Sequence, residues 1–332
     1  MNTVAAPLEN GFCNGNDEGV VSAKRIKLGP QQANESCKPT KPAAAAAVNA
    51  NGHPTAKSTE RRKSATACSS ENFRVAENGH QDVNNEEKDH PTSSAALIRR
   101  NQDGEISDGY LTTDDWKTKW ERGKTKFHKT QVHGMLKKHY QRLVQGRDAP
   151  RFLVPLCGKT LDMIWLLEQG CGVVGCDVVE LGVQQFFVEN KLEYTTETLK
   201  DIDGTVYKGK DEDITIYCAD FFKLSSALIG QFDCIWDRGS MAAINPSDRK
   251  RYCDVISDVL KPDSRYLLDI FEVPHDVFSG PPHNIDPEEI TQLFGDVCRV
   301  EQLEHVDAMN PWSKTWGVAY FYENNFLLTR KK

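Results

Sequence analysis

The sequence has no pair of cysteines at CxxC spacing, although ten of its 332 residues are cysteine. Disulfide frameworks and zinc ribbons depend on regular cysteine spacing, so neither is favoured. The two closest cysteines, Cys171 and Cys176, lie in the apolar segment CGVVGC, which is typical of a buried strand. We therefore expect a reduced, cytoplasmic protein without a metal site.

Long apolar runs and an excess of positive charge are also lacking. No segment reaches the ~20 apolar residues that a membrane-spanning helix needs. The first residues do not show the basic-then-apolar order of a secretory signal. Lys and Arg total 41 against 48 for Asp and Glu, a formal net charge of -7, whereas polyanion binding depends on clustered Lys and Arg. We expect neither a nucleic-acid nor a membrane partner.

Aromatic residues are scarce in the first third of the chain, where only Phe12 and Phe73 precede residue 110. This segment is rich in Asn, Ala, Ser and charged residues, and it buries too little apolar surface to offset the entropy of ordering. We predict a disordered, low-complexity tail over residues 1–109 and one folded domain over residues 110–332. The tail's basic cluster, Lys24-Arg25-Ile26-Lys27, is either a nuclear import signal or a solvated charge run.

The folded part alternates apolar, strand-like segments with segments of helical periodicity. Strands are predicted at residues 151–156, 172–177, 213–219, 232–237 and 265–272, and two terminal strands at 300–306 and 315–328. Alternation of this kind predicts an α/β fold with a doubly wound, mostly parallel sheet. Because ligands bind beyond the carboxyl ends of such strands, the residues that follow each strand are the candidates for a site.

A glycine turn and an acid follow the first two predicted strands. In PLCGK, Gly158 allows the chain to turn, and the next helix directs its positive end toward a ligand. The sequence contains neither GxGxxG nor GxxxxGK[ST], so a pyrophosphate site and a P-loop are not favoured. Asp177, about 20 residues later, either accepts the hydroxyls of a ribose or caps the following helix. Together they favour a nucleoside cofactor without a diphosphate.

Polar residues also end the next two strands. Asp220 could contact an adenine edge and Phe221 its face, or the phenylalanine is simply core. Asp237 and Arg238 end the fourth strand, and a guanidinium suits a carboxylate or a developing anion. Asp237 could instead hold Arg238 in place.

The segment before the first strand carries further aromatic residues. Trp116 and Trp120 are one helical turn apart and share a face, which predicts either core packing or a cover over a flat ligand. His128 could assist proton transfer, although a lone histidine is more often structural.

Several segments closely resemble the thiopurine S-methyltransferase family over residues 111–329. They are LTTDDWKTKWERGKTKFH, VPLCGKTLDMIWLLEQGCGVVGCDVVELGVQQFF, FDCIWDRGSMAAINPSDRKRY, GPPHNI and KTWGVAYFYENNFLLT. The resemblance implies a seven-stranded, Rossmann-like class I methyltransferase that uses S-adenosyl-L-methionine to methylate an aromatic or heterocyclic thiol. It also implies an acceptor contact at Phe127 and cofactor contacts at Trp116, Leu156, Asp177, Asp220, Phe221 and Arg238. Separately, we expect a monomer.

Three residues depart from the family pattern. Asp177 stands where Glu is frequent, Asp220 where Ser is frequent, and Trp312 where members can carry an Arg near the acceptor. Trp312 would replace that charge with an aromatic wall. These differences leave open an acceptor at nitrogen, oxygen or selenium, or an inactive cofactor-binding homologue. A nicotinamide dehydrogenase needs a denser glycine turn and is less favoured. As the catalytic residue we predict Arg238, which would favour the thiolate or orient the acceptor.

Overall fold

The computed structural model describes residues 98–332, whose strands form one nine-stranded sheet. Its order is β3-β4-β5-β2-β1-β6-β7-β9-β8. The strands are β1 Arg151–Val154, β2 Gly172–Asp177, β3 Tyr194–Thr198, β4 Gly204–Gly209, β5 Ile214–Ala219, β6 Phe232–Arg238, β7 Leu260–Glu272, β8 Cys298–Asp307 and β9 Tyr322–Arg330.

Helices cover the sheet and connect its strands. They are α1 Thr113–Glu121, α2 Gly134–Val144, α3 Asp162–Glu168, α4 Glu180–Glu189, α5 Ser226–Ile229, α6 Ser240–Ala243, α7 Arg249–Val259 and α8 Pro287–Phe294, with 3₁₀ turns at Phe221–Lys223, Pro246–Asp248 and Ser313–Trp316. None of these helices has the length and apolar character needed to cross a membrane.

The expected count of seven strands is wrong, because β3 and β4 add an antiparallel ribbon to the β5 edge. The other seven strands follow the predicted arrangement, with five parallel strands and an antiparallel β9–β8 pair. The last strand begins at Tyr322 rather than at residue 315, because Ser313–Trp316 forms a 3₁₀ turn. Residues 194–198 are mostly exposed, and in β4 only Val206 and Tyr207 are buried. This edge ribbon is too polar to show the apolar pattern from which the other strands were predicted.

The central strands are buried on both faces, which explains their nearly continuous apolar runs. On one face, Leu153 and Ile235 pack with Tyr252 of α7. On the other face, Phe152 and Trp236 belong to the cluster that includes residues of α2. Alternate side chains of one strand therefore enter opposite cores. This two-sided cover confirms the doubly wound α/β class.

The described chain begins within the predicted tail. Arg100 forms a bridge with Phe278, and its carbonyl accepts the Ser279 amide at 3.0 Å. Asn101 and Gln102 are buried, so residues just before 110 pack against the domain. The tail itself stays a prediction, and the basic cluster at Lys24-Arg25-Ile26-Lys27 lies outside the described residues.

Candidate active site

A cavity of about 480 Å³ opens at the carboxyl ends of β1, β2, β5 and β6. Its volume lies in the ~300–1,000 Å³ range of small-molecule sites. β1 lies between β2 and β6, so the chain reverses its order here, as expected of a ligand-binding edge. All seven predicted site residues line this cavity: Trp116, Phe127, Leu156, Asp177, Asp220, Phe221 and Arg238. Their individual roles stay predictions.

The turn after β1 is conformationally strained. Leu156 has φ 43° and Gly158 φ 48°, both in the left-handed region. A non-glycine residue held there costs about 1–3 kcal/mol, and such residues concentrate at functional sites. Two hydrogen bonds to β2 hold the turn, from the Cys157 amide to the Cys176 carbonyl at 2.8 Å and from the Gly158 amide to Asp177 Oδ2 at 2.7 Å.

Asp177 is fixed through both of its carboxylate oxygens. Oδ2 accepts the Gly158 amide, and Oδ1 accepts the Val179 amide at 2.9 Å, where α4 begins. Burial raises the pKa of Asp177, and the backbone donors oppose that rise because they favour the ionised form. Each oxygen has a second lone pair for a further donor. The Asp177 carboxylate thus stabilises the start of α4 and can still accept further hydrogen bonds at the cavity.

Replacing Gly158 with alanine should destabilise the fold at this turn. A Cβ there would lie 2.3 Å from His128 Cε1 and 2.5 Å from its Nε2. The control is Gly170→Ala, because Gly170 also has positive φ (80°) but nothing lies within 4 Å of its added Cβ. Thermal unfolding should show Gly158→Ala less stable than the control by about 2 kcal/mol, the usual size of an overpacking penalty. Equal losses would contradict the predicted clash.

Asp220 and Phe221 lie where β5 ends. The Asp220 carboxylate accepts the Phe222 amide at 3.0 Å and so caps the following 3₁₀ turn. Phe221 is buried and stacks on Tyr252, with ring centroids 4.8 Å apart. Phe221 is therefore both core and cavity wall, which joins the two alternatives drawn from the sequence.

Asp237 does not hold Arg238, contrary to the alternative raised above. Its buried carboxylate accepts the hydroxyls of Tyr252 and Tyr266 at 2.6 and 2.7 Å, and the Ser240 amide at 3.1 Å. Consecutive residues of a strand point to opposite faces of the sheet. Asp237 is therefore a structural acceptor in the core on the α7 side.

The Arg238 guanidinium lies at the cavity wall with three neighbours. Nη1 donates to the Phe127 carbonyl at 2.9 Å. The guanidinium carbon lies 5.6 Å from the ring centroid of Phe271, a cation–π distance. Nε lies 3.8 Å from Oδ2 of the fully buried Asp269. The cation is thus bonded directly to the backbone of the predicted acceptor contact.

The segment around α1 covers the cavity. Asn245 exchanges two 3.0 Å hydrogen bonds with the backbone of Leu111 and so secures its start. Trp116 and Trp120 both contact Phe127 edge-on, at centroid distances of 5.8 and 6.2 Å. Since all three aromatic rings line the cavity, the predicted shared face of α1 is an aromatic cover. Trp120 is nearly buried as well.

His128 is packed against the same aromatic residues. Its ring centroid lies 4.9 Å from that of Trp120, and its buried Nε2 has no hydrogen-bond partner among the described residues. Burial, together with the positive charges of Arg238 and Lys159, lowers the pKa of His128 to about 4. The imidazole is therefore neutral at physiological pH, in line with a structural role.

This histidine should make stability depend on pH. Because its folded pKa of about 4 lies below the ordinary 6.5, the unfolded chain binds more protons between these values, and stability falls as pH drops through that window. The contribution lost between pH 7 and pH 5 is about 2 kcal/mol. Thermal unfolding of His128→Gln at both pH values should show a smaller loss than the wild type. A variant at the exposed His275, His275→Gln, should keep the wild-type loss.

Sequence reasoning missed most of an aromatic wall in the cavity. Trp316 contacts Trp312 and Phe321 at centroid distances of 5.0 and 5.1 Å, and Phe321 contacts Phe271 at 5.2 Å. All four line the cavity. Only Trp312 was predicted as an aromatic wall. The segment KTWGVAYF, which contains Trp316 and Phe321, was the available signal for those two residues.

Comparison with known proteins decides the family. The family model described as thiopurine S-methyltransferase matches residues 111–331. The chain belongs to the thiopurine S-methyltransferase family. Thiopurine S-methyltransferase of Rattus norvegicus is 42% identical over 236 residues, which cover 70% of this chain and 98% of the relative. The enzyme of Bos taurus is 41% identical over 225 residues, covering 68% and 92%.

The thiopurine S-methyltransferase match includes every strand and helix described above, from α1 to β9. It begins at Leu111, the residue held by Asn245, so the aromatic cover belongs to the family domain. The family predicted from the sequence is therefore confirmed.

Proposed function

We propose that this protein is an S-adenosyl-L-methionine-dependent methyltransferase that acts on an aromatic or heterocyclic thiol. The observation that carries this proposal is the single cavity, in a domain of this family, on which all seven predicted residues meet. A carboxylate, an aromatic cover and a guanidinium share that cavity. These groups suit a nucleoside that carries a charged side chain, together with a flat acceptor.

The residues present fit the cofactor. Asp177 has acceptor capacity for the ribose hydroxyls. Asp220 and Phe221 would contact the adenine edge and face. Leu156 and Trp116 would complete the enclosure. When bound, S-adenosyl-L-methionine supplies an electrophilic methyl group on a sulfonium sulfur.

The chain's own task is to position the acceptor and exclude water. Trp116 and Phe127 shield the cavity from water, which strengthens electrostatic interactions inside it. Their rings also position the acceptor, so that the reacting atoms approach at ~3–3.5 Å. A cation lowers the pKa of a nearby acid, so Arg238 favours the thiolate form of the acceptor. Because Nη1 is bonded to the Phe127 carbonyl, acceptor contact and charge stabilisation depend on one another.

A second candidate is a methyltransferase for a nitrogen, oxygen or selenium acceptor. The observation that favours it is Trp312, which gives the wall an aromatic ring where family members can carry an Arg. An inactive cofactor-binding homologue is the third. We further propose a cytoplasmic monomer whose partner is a small molecule rather than nucleic acid or a membrane.

A methyl-transfer assay separates these candidates. The purified full chain is incubated with S-adenosyl-L-methionine and a panel of aromatic thiols, selenols, phenols and heterocyclic amines. Calorimetric titration with S-adenosylhomocysteine measures cofactor-site binding in parallel. We expect binding and methylation of thiols. Binding without turnover of any acceptor would indicate the inactive homologue, and absence of binding would reject the proposal.

A further inference from the structure

Several buried polar atoms close to Arg238 lack a hydrogen-bond partner. Eleven buried side-chain nitrogen and oxygen atoms of the described residues have no hydrogen-bond partner. Five of them belong to four neighbouring residues, His133, Arg238, Asp269 and Asn325. Since buried polar groups are nearly always paired in folded proteins, a local concentration of unpaired ones indicates a functional arrangement.

The topology brings this group together. Arg238 of β6 and Asp269 of β7 are register partners, and Asp269 is in turn the partner of Asn325 on β9. Partners in adjacent strands place their side chains on the same face. His133, just before α2, lies over that face with Nε2 3.9 Å from Asp269 Oδ2 and 3.8 Å from Glu323 Oε1.

The burial of Asp269 is not explained by any contribution to the stability of the fold. Its side chain is fully buried, and neither carboxylate oxygen accepts a hydrogen bond from the described residues. A buried, unbonded carboxylate is costly to a fold. Its closest cationic group is the Arg238 guanidinium, with Nε 3.8 Å from Oδ2. A group that costs stability beside a functional cation is typical of a site residue.

We propose that Asp269 is a positioning residue that sets the orientation of Arg238 toward the acceptor. This inference builds on the function proposed above. Asp269 faces the Nε edge of the guanidinium, and the Phe127 carbonyl accepts from Nη1. These two contacts constrain two edges of the guanidinium. The third nitrogen, Nη2, has no hydrogen-bond partner in the described chain and is therefore available to the acceptor. A fixed guanidinium is preorganised for the charge it stabilises.

The kinetic test compares Asp269→Asn with Asp269→Glu. Asp269→Asn keeps the shape of the side chain and replaces the acid with a neutral amide, so kcat for a thiol acceptor should fall about tenfold or more, because the guanidinium loses the carboxylate that lies 3.8 Å from its Nε. The dissociation constant of S-adenosylhomocysteine should stay within about twofold, because no cofactor contact is removed. Asp269→Glu should recover part of kcat. Glu272→Gln, on the same strand but the opposite face, is the matched control and should leave kcat unchanged.

A second measurement does not need turnover. The ¹⁵Nε–H signal of Arg238, assigned by its loss in Arg238→Lys, should exchange with solvent at least about tenfold faster in Asp269→Asn than in the wild type, because the buried Nε stays shielded only while the guanidinium is held beside the carboxylate. Thermal unfolding of Asp269→Asn establishes that the variant is folded under the conditions of the exchange measurement.

Each result either supports or overturns the pairing of Asp269 with Arg238. Unchanged kcat or unchanged Nε exchange in Asp269→Asn would overturn the pairing. Loss of wild-type activity on treatment with EDTA would also overturn it, because a cation held by His133, Asp269 and Glu323 would then explain the cluster. A wild type that methylates no acceptor, combined with faster exchange in Asp269→Asn, would support the pairing and reject the proposed function.

Discussion

Replacing Arg238 with alanine is expected to lower kcat for an aromatic thiol about 10²–10³-fold, the range seen when one preorganised electrostatic contact is removed. The guanidinium lines the cavity and donates to the Phe127 carbonyl. Its loss removes the charge proposed to favour the thiolate and releases the backbone at the predicted acceptor contact. Steady-state kinetics with a thiol acceptor measure the fall in kcat, and calorimetry with S-adenosylhomocysteine should show a much smaller change in affinity.

Two further variants make this result specific. Arg238→Lys keeps the positive charge but loses the planar fork, so it should lie between the wild type and alanine. Arg142→Ala removes an exposed arginine whose partner is Glu301, and should not change kcat. If Arg238→Ala turned over thiols at the wild-type rate, Arg238 would have no catalytic role.

The strand ends could be predicted from the sequence because local patterns determine them. The segment GVVGCD is apolar until its last residue, and β2 spans Gly172–Asp177 as predicted. The helix at Pro287–Phe294 likewise begins where local chemistry places it, since Asp286 caps it and Pro occupies its first turn. Once these elements alternate, the rule that ligands bind at carboxyl ends places Asp177 and Arg238 at one edge without any knowledge of contacts.

Features that depend on long-range register could not be predicted. That Asp269 faces Arg238 follows only from the pairing of β6 with β7, which involves residues about thirty positions apart. The edge strands β3 and β4 are too polar to carry an apolar pattern. The role of Asp237 is different, because strand alternation alone places it opposite Arg238. That local signal was available in the sequence and was overlooked.

The aromatic wall bears on the choice of acceptor. Trp312 and Trp316 lie on the loop and 3₁₀ turn before β9, whereas Phe271 lies next to the last residue of β7. Only the fold brings these rings to one side of the cavity. Flat aromatic rings contact aromatic faces favourably, and the guanidinium near Phe271 adds one positive charge. A wall of this composition favours a flat acceptor that carries its charge at a single point near the guanidinium, whether on sulfur, oxygen or selenium.

Asp177→Ala should weaken the binding of S-adenosylhomocysteine about 10²-fold, since hydrogen bonds to a charged group contribute roughly 1.5–3 kcal/mol. The substitution removes the proposed ribose contact. It also leaves the amides of Gly158 and Val179 without their acceptor, so the strained turn at Leu156 loses a constraint. Calorimetric titration measures the affinity, and circular dichroism with thermal unfolding establishes that the variant is folded.

Matched variants distinguish the loss of the ribose contact from a disturbance of the turn after β1. Asp177→Asn retains one oxygen for a backbone amide but has no charge, and it should also bind weakly if the ribose needs the ionised acid. Asp177→Glu restores the charge, so its affinity should lie nearer to that of the wild type. Asp211→Ala, in the exposed loop before β5, removes the same side chain outside the cavity and should leave affinity unchanged. Wild-type affinity in folded Asp177→Ala would assign this carboxylate to the turn and the start of α4 alone.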